Sequence, residues 1–500
     1  MNLRCILLTS LGFAVGGFVP LRAEERNAWP LIVQQVDATG GSAANAAFGP
    51  LFFQKTLTEG GQDSGFRPFY LERTQADGRI TRASVLYPLY FYRGDDEAYT
   101  WSIFNLITRS GLQAGAAPKL PAAHAEKFAV WPFYFSRQTG DPATSYRGLM
   151  PVAGSIKNFF GYDRIGWTLF PLYVEVDKRE AHTILAPWPL LRFTSGAERG
   201  FALWPLLGWR HRPGEFQSHY ALWPLIWNYT QAPAADAPAG TTPTRQLGAL
   251  PFYTREQGPG LINENFLWPF FGYTDRTAPY RYHETRYLWP LLVQGHGDDR
   301  RVNRWGPLYT HSNLKGIDKT WIAWPLWRQT KWQADGLAQT QTQLLFFFYW
   351  SLEQRSLRNP AAAPAEKVHV WPLLSAWDNG AGRRQYQFPS PFEALFPNNE
   401  TVRQNWTPLF ALYRYDQRAP GDVRASLLWD AVTWTRDEAR RQSAFHLGPL
   451  LSVQTDSREQ RIALGNGLIG LKRTPGTHAW HFFWLDFSPA TAEHHSAPAR

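Results

Sequence analysis

Trp-Pro followed by Leu or Phe recurs nine times in this chain, at Trp29, Trp131, Trp188, Trp204, Trp223, Trp268, Trp289, Trp324 and Trp371. Weaker copies keep the proline and an apolar residue after it, as in Tyr87-Pro88-Leu89, Phe170-Pro171-Leu172, Leu250-Pro251-Phe252 and Gly306-Pro307-Leu308. Neighbouring copies lie about 16–21 residues apart, a spacing that marks a repeat architecture. Proline cannot donate to a β-ladder, yet each copy stands inside an apolar run that otherwise reads as strand, such as FALWPLLGWR at 201–210. A proline repeated at one height in most units implies a repeated geometric device. Read from the sequence alone, that device is a bend or bulge at the centre of each strand.

The expected fold is all-β: an antiparallel meander of about 24 strands with a period near 19 residues, each strand of about 12 residues followed by a turn of about 6. Where the spacing doubles, proline-less runs fill the gap: Tyr99–Ile107, Leu344–Trp350 and Leu427–Trp434. Ile462–Leu471 and Trp480–Phe487 complete the series. Gln75–Gly78, Arg93–Asp96, Gly196–Glu198 and Pro213–Glu215 carry turn chemistry. The three longest connections, Gly115–Lys127, Gln231–Gln246 and Arg358–Lys367, follow strands 5, 11 and 17 of that count, which puts all three on one side of a meander.

Aromatic residues make up 16% of the chain and charged residues 18%, so the apolar residues are interspersed with polar ones rather than massed. Past residue 23 no apolar run approaches the roughly 20 residues of a membrane helix. Arg4, the apolar stretch Cys5–Val19 and Leu21-Arg22-Ala23 read as a signal peptide over residues 1–23. Residues 24–487 then form a single β-meander domain, and 488–500 a disordered polar tail. Cys5 is the only cysteine, so a mature chain would hold neither disulfides nor thiolate metal sites. The net charge of +10 is scattered without a basic block, which argues against nucleic acid and suits an anionic lipid surface or a pore lined by basic side chains that prefers anions.

In its signal peptide, aromatic-rich strands and even meander, the chain resembles outer-membrane β-barrels. His481–Phe487 partly alternates and ends in Phe, like the closing strand of that class. The resemblance implies a large closed barrel in the outer membrane, with a structural or pore-forming role, outer-membrane lipid as partner and an anionic solute as cargo. Against an open pore, FALWPLLGWR is apolar on both faces, where a water-filled lumen needs a polar one. The alternative is a soluble periplasmic or surface β-repeat module whose aromatics bind glycans or proteins. Propellers and solenoids fit less well, because the connections read as hairpins.

No residue pattern nominates a catalytic, cofactor-binding or metal site, and the expectation is a protein that is not an enzyme. Gly295-His296-Gly297-Asp298-Asp299 reads as a polar turn, and Asp95-Asp96-Glu97 as a solvated one. Gly465-Asn-Gly467-Leu-Ile-Gly470 matches a phosphate-loop pattern, but without the surrounding strand–helix context it reads as a bulge in a strand. The nine Trp-Pro tryptophans are the structural repeat residues.

Overall fold

The computed structural model describes residues 25–36, 42–57, 60–113, 125–238, 240–396, 399–457, 459–474 and 476–486. The proposed signal peptide and tail lie outside them. Among the described residues the chain forms one antiparallel sheet of 45 strands, each four to eight residues long, and two short helices, α1 (Glu400–Asn405) and α2 (Thr407–Phe410). Ladders join strands adjacent in sequence, as in Arg199–Leu203 with Leu207–Arg212 and then with Phe216–Ala221. The all-β antiparallel meander is thus present. The sheet is not closed, which corrects the closed barrel, and the strand count is nearly double the expected one.

The reason lies in the proline. Trp-Pro-Leu is not a bend inside a strand; it is the turn between two strands. In Leu288-Trp289-Pro290-Leu291, the Leu291 N–H donates to the Leu288 carbonyl at 2.6 Å, and Leu225 does the same to Leu222 at 2.7 Å. Trp is second in the turn and Pro third, and the Trp–Pro bond is cis, which is the type VI arrangement. A proline in a turn deprives no ladder of a donor, so the sequence objection to a strand proline disappears. Each 12-residue "strand" is a hairpin of two short strands. The proline-less units reverse at the same place by another route, with positive φ at Phe104 (50°) and Asn105 (57°), and at Leu345 (44°) and Phe346 (61°). The doubling also empties the argument from the three long connections. Every connection between repeats falls on the edge opposite the Trp-Pro turns, so three of them sharing a side carries no information.

The chain divides into two compact units, one of residues 1–80, 381–392 and 398–500, the other of residues 81–380 and 393–397. In the first, the strand Glu25–Ala28 is bound to the far end of the chain by buried polar groups. Arg424 donates to Glu25 at 2.8 Å and to Asp430 at 2.9 Å, Asn27 donates to the Asp430 carbonyl at 2.7 Å, and Asn466 donates to the Asn27 carbonyl at 3.1 Å. Burial works against the charge on Arg424, but Glu25 and Asp430 outweigh it and keep the guanidinium protonated. In the same unit α1 and α2 precede the strand Tyr413–Ala419. Asn399 caps α1 by accepting from the Val402 N–H at 3.1 Å.

The second unit has little conventional core. Its most buried line of residues is one rank of the sheet, formed by ladder partners on a single face: Trp167, Val174, Ala202, Gly208, Thr254, Val293, Trp350, His369 and Ser375. Glycines in this rank make room for flat rings from neighbouring strands. A Cβ on Gly248 would lie 2.3 Å from the Trp227 indole nitrogen, and one on Gly208 would lie 2.5 Å from the Tyr220 ring. Aromatic side chains covering glycines substitute for a second layer, a known way to stabilise sheets.

Candidate interaction edge

A meander has two edges, and here they differ chemically. One carries the polar turns. Asp95 Oδ1 accepts from the Glu97 and Ala98 N–H groups at 2.8 Å each, and Asp298 accepts from the Arg281 N–H at 3.0 Å. The acidic pairs of the sequence therefore brace turns. His296 stands in the strand Leu292–Gly297, facing His283 across the ladder with ring centroids 5.7 Å apart.

The other edge collects the Trp-Pro turns, because turns two strands apart in a meander share an edge. In the second unit this gathers Trp131, Trp188, Trp204, Trp223, Trp268, Trp289, Trp324 and Trp371; Trp29 stands on the corresponding edge of the first unit. Many side chains of these turns are exposed, as at Trp131 60%, Phe133 59%, Phe252 69% and Leu308 71%, whereas Trp29 and Trp371 are half-buried and Trp371 packs on Phe347 and Phe348. The GxGxxG-like segment belongs to the corresponding edge of the first unit. Residues 465–468 form the turn between Gln460–Leu464 and Ile469–Arg473, with Gly465, Asn466 and Gly467 all at positive φ, so it is a turn and not a bulge within a strand.

One step in from the turns, the ladder partners on one face continue the apolar character over long runs, with Thr168 an exception. Leu191, Leu203, Leu207, Ala221, Ile226, Ala249, Tyr253, Phe266 and Phe271 form one unbroken line. Leu292, Trp305, Tyr309, Ile322, Trp327, Leu344, Tyr349, Val370 and Leu374 form another. Further from the turns the same face turns polar, with Arg255, Glu264 and Tyr273 in contact: Arg255 Nε lies 3.1 Å from Glu264, and the Tyr273 hydroxyl donates to it at 3.0 Å. The apolar band is continuous only through the turns and the first strand residue; beyond them it persists in patches, as at Phe193, Phe201 and Trp209.

Much of the backbone of this edge is paired: proline has no N–H, in most turns the apolar residue after it bonds within the turn, and many of the remaining donors reach the preceding turn. Leu222 donates to the Leu206 carbonyl and Trp223 to the Pro205 carbonyl, both at 2.7 Å. Ala323 and Trp324 repeat the pattern on Leu308 and Pro307 at 2.7 and 2.6 Å. A continuous chain of hydrogen bonds therefore runs from turn to turn. In these turns the edge offers apolar side chains without stranded N–H groups, which is what contact with an apolar phase requires.

The second rank from the turns, on the opposite face, carries arginines that the sequence reading did not single out: Arg192, Arg286, Arg304 and Arg328. Arg286 pairs with Glu284 at 2.7 Å. Burial and the nearby Arg210 lower the pKa of Arg192. Their only sequence signal is position: counted from each turn, Arg192, Arg304 and Arg328 fall on the second step, while Arg286 reaches the same rank through a bulge between Arg286 and Leu288. In the same rank His369 is fully buried, its Nδ1 2.6 Å from the Ser375 hydroxyl. Burial, and then Lys367, hold its pKa down to about 3.

Comparison with known proteins gives no relative: no family model and no curated protein matches this chain.

Proposed function

We propose that this is an exported, non-enzymatic structural protein of the cell envelope, and that it seats its Trp-Pro-Leu edge in a lipid surface, that of the outer membrane. The observation that carries the reading is the edge itself: exposed Trp, Leu and Phe in a row, over a backbone whose N–H groups are largely paired. Tryptophan is the residue of membrane–water boundaries. An apolar band one or two residues deep suits interfacial burial of about 5–10 Å. Seating on a membrane fits the strands better than crossing it, since a crossing strand needs about 9–11 residues. The mid-strand residues Arg255 and Glu264 would stand in hydrocarbon in any crossing arrangement.

Vesicle flotation tests the reading. The full chain without its first 23 residues should float with phosphatidylcholine vesicles, and lipids brominated on their acyl chains should quench its tryptophan emission. A chain that stays at the bottom of the gradient with every vesicle composition would sink it.

A further inference from the structure

The arginine rank behind the edge points to the kind of lipid, an inference that rests on the lipid-seating reading above. We infer that Arg192, Arg304 and Arg328 are headgroup ligands that bind the phosphates of an anionic phospholipid while the turns below them enter the acyl region.

Their position carries the argument. All three occupy the same ladder rank of the second unit, two residues from the Trp-Pro turns and on one face. At about 3.4 Å per residue that rank stands about 7 Å from the edge, the level of headgroups above an interfacially buried turn. Arg304 shows the direction: its Nη1 donates to the carbonyl of Pro290, a residue of the turn itself, at 3.3 Å. Arg328 lies over the Trp321 ring at 4.9 Å, and Trp321 meets Phe346 of the next proline-less turn. None of the three has a carboxylate within ion-pair distance among the described residues, unlike Arg286 in the same rank. The Nε donors of Arg192 and Arg328 are buried and meet no acceptor among the described residues. Arg286 shares the unpaired Nε but has Glu284, so the lack of a carboxylate is what sets the three apart; a half-buried guanidinium without one calls for an anion, and the arginine fork fits phosphate oxygens in pairs. The net charge of +10 favours the same sign of partner.

The test compares three proteins by flotation: the parent chain, the triple variant Arg192→Gln/Arg304→Gln/Arg328→Gln, and a control with the same charge loss at the polar edge, Arg179→Gln/Arg281→Gln/Arg358→Gln. Each is floated with pure phosphatidylcholine vesicles and with vesicles containing phosphatidylglycerol. The parent should prefer the anionic vesicles. The rank variant should lose that preference, by about fivefold per arginine and roughly a hundredfold for the three, while keeping its binding to phosphatidylcholine. The control should keep most of the preference. Equal losses in rank variant and control would overturn the inference, since charge alone would then explain binding. So would a rank variant that binds anionic vesicles like the parent. If the triple variant fails to fold by circular dichroism, the single change Arg304→Gln carries the same test, with a fivefold loss expected and no loss contradicting it. Parent binding to phosphatidylcholine without any anionic preference would overturn this inference and leave the seating edge standing. No binding to either vesicle would overturn the seating edge itself.

Discussion

Replacing four exposed edge residues of the second unit, Trp131→Ser, Phe133→Ser, Phe252→Ser and Leu308→Ser, should release the protein from membranes without unfolding it. These side chains are 59–71% exposed, so most of their apolar surface is free to be buried by a lipid phase. Full burial of such a side chain is worth about 1.5–3 kcal/mol, so the exposed share gives roughly 1–2 kcal/mol each and about 4–8 kcal/mol for the four. At about 1.4 kcal/mol per tenfold, the vesicle partition coefficient should fall by roughly a thousandfold or more. The fold should survive, because Leu308 and its fellows contribute little buried surface and the turns are held by backbone bonds, such as Phe252 N–H to Ala249 at 2.8 Å and Phe133 N–H to Val130 at 2.7 Å. Circular dichroism checks the fold and lipid titration of tryptophan emission gives the partition. A folded variant that partitions within about threefold of the parent would refute the reasoning that these turns carry the binding.

Three further outcomes follow from the fold. Glu25→Gln should destabilise the first unit by about 3–5 kcal/mol, measured by urea denaturation, because Arg424 loses a partner while remaining buried. His369 is buried neutral, so the unfolded chain takes up its proton near pH 6.5 while the folded chain resists until about pH 3. Stability should therefore drop as pH falls through that window, by about 1.4 kcal/mol per pH unit from this group, and His369→Gln should flatten the slope measured in urea titrations from pH 7 to pH 4.5. Gly248→Ala should cost about 1–3 kcal/mol, because the new methyl displaces the Trp227 ring; Gly140→Ala, where nothing lies within 4 Å, should be near neutral by thermal melts.

Much of this architecture is legible in the sequence. The all-β class, the antiparallel meander and the polar turns follow from spacing and from residues such as Asp95 and Gly214. The Trp-Pro turns were not legible as turns, for a physical reason. Turns are recognised by polarity, and Leu288-Trp289-Pro290-Leu291 has no polar member. Flanked by apolar first-rank residues, it reads as the middle of one long strand, and the strand count halves. Length followed the same error: strands of about 12 residues suggested a membrane-crossing barrel, whereas strands of four to eight form an open sheet. The candidate edge was half legible. Its tryptophans were named as a structural repeat, but their exposure depends on their being turns. Arg192, Arg304 and Arg328 stood among many scattered basic residues until the ladder register placed them in one rank.

Site-directed spin labelling tests the seating most directly. With Cys5→Ser as background, a nitroxide is placed at Leu308 on the Trp-Pro edge or at Lys315 in the polar turn at the other end of the same strand, Tyr309–Leu314. On phospholipid vesicles the label at 308 should become accessible to oxygen and shielded from a water-soluble nickel chelate, while the label at 315 stays open to the chelate. Equal exposure of both labels to the chelate would contradict seating of this edge in lipid, and equal shielding of both would contradict an edge-on arrangement.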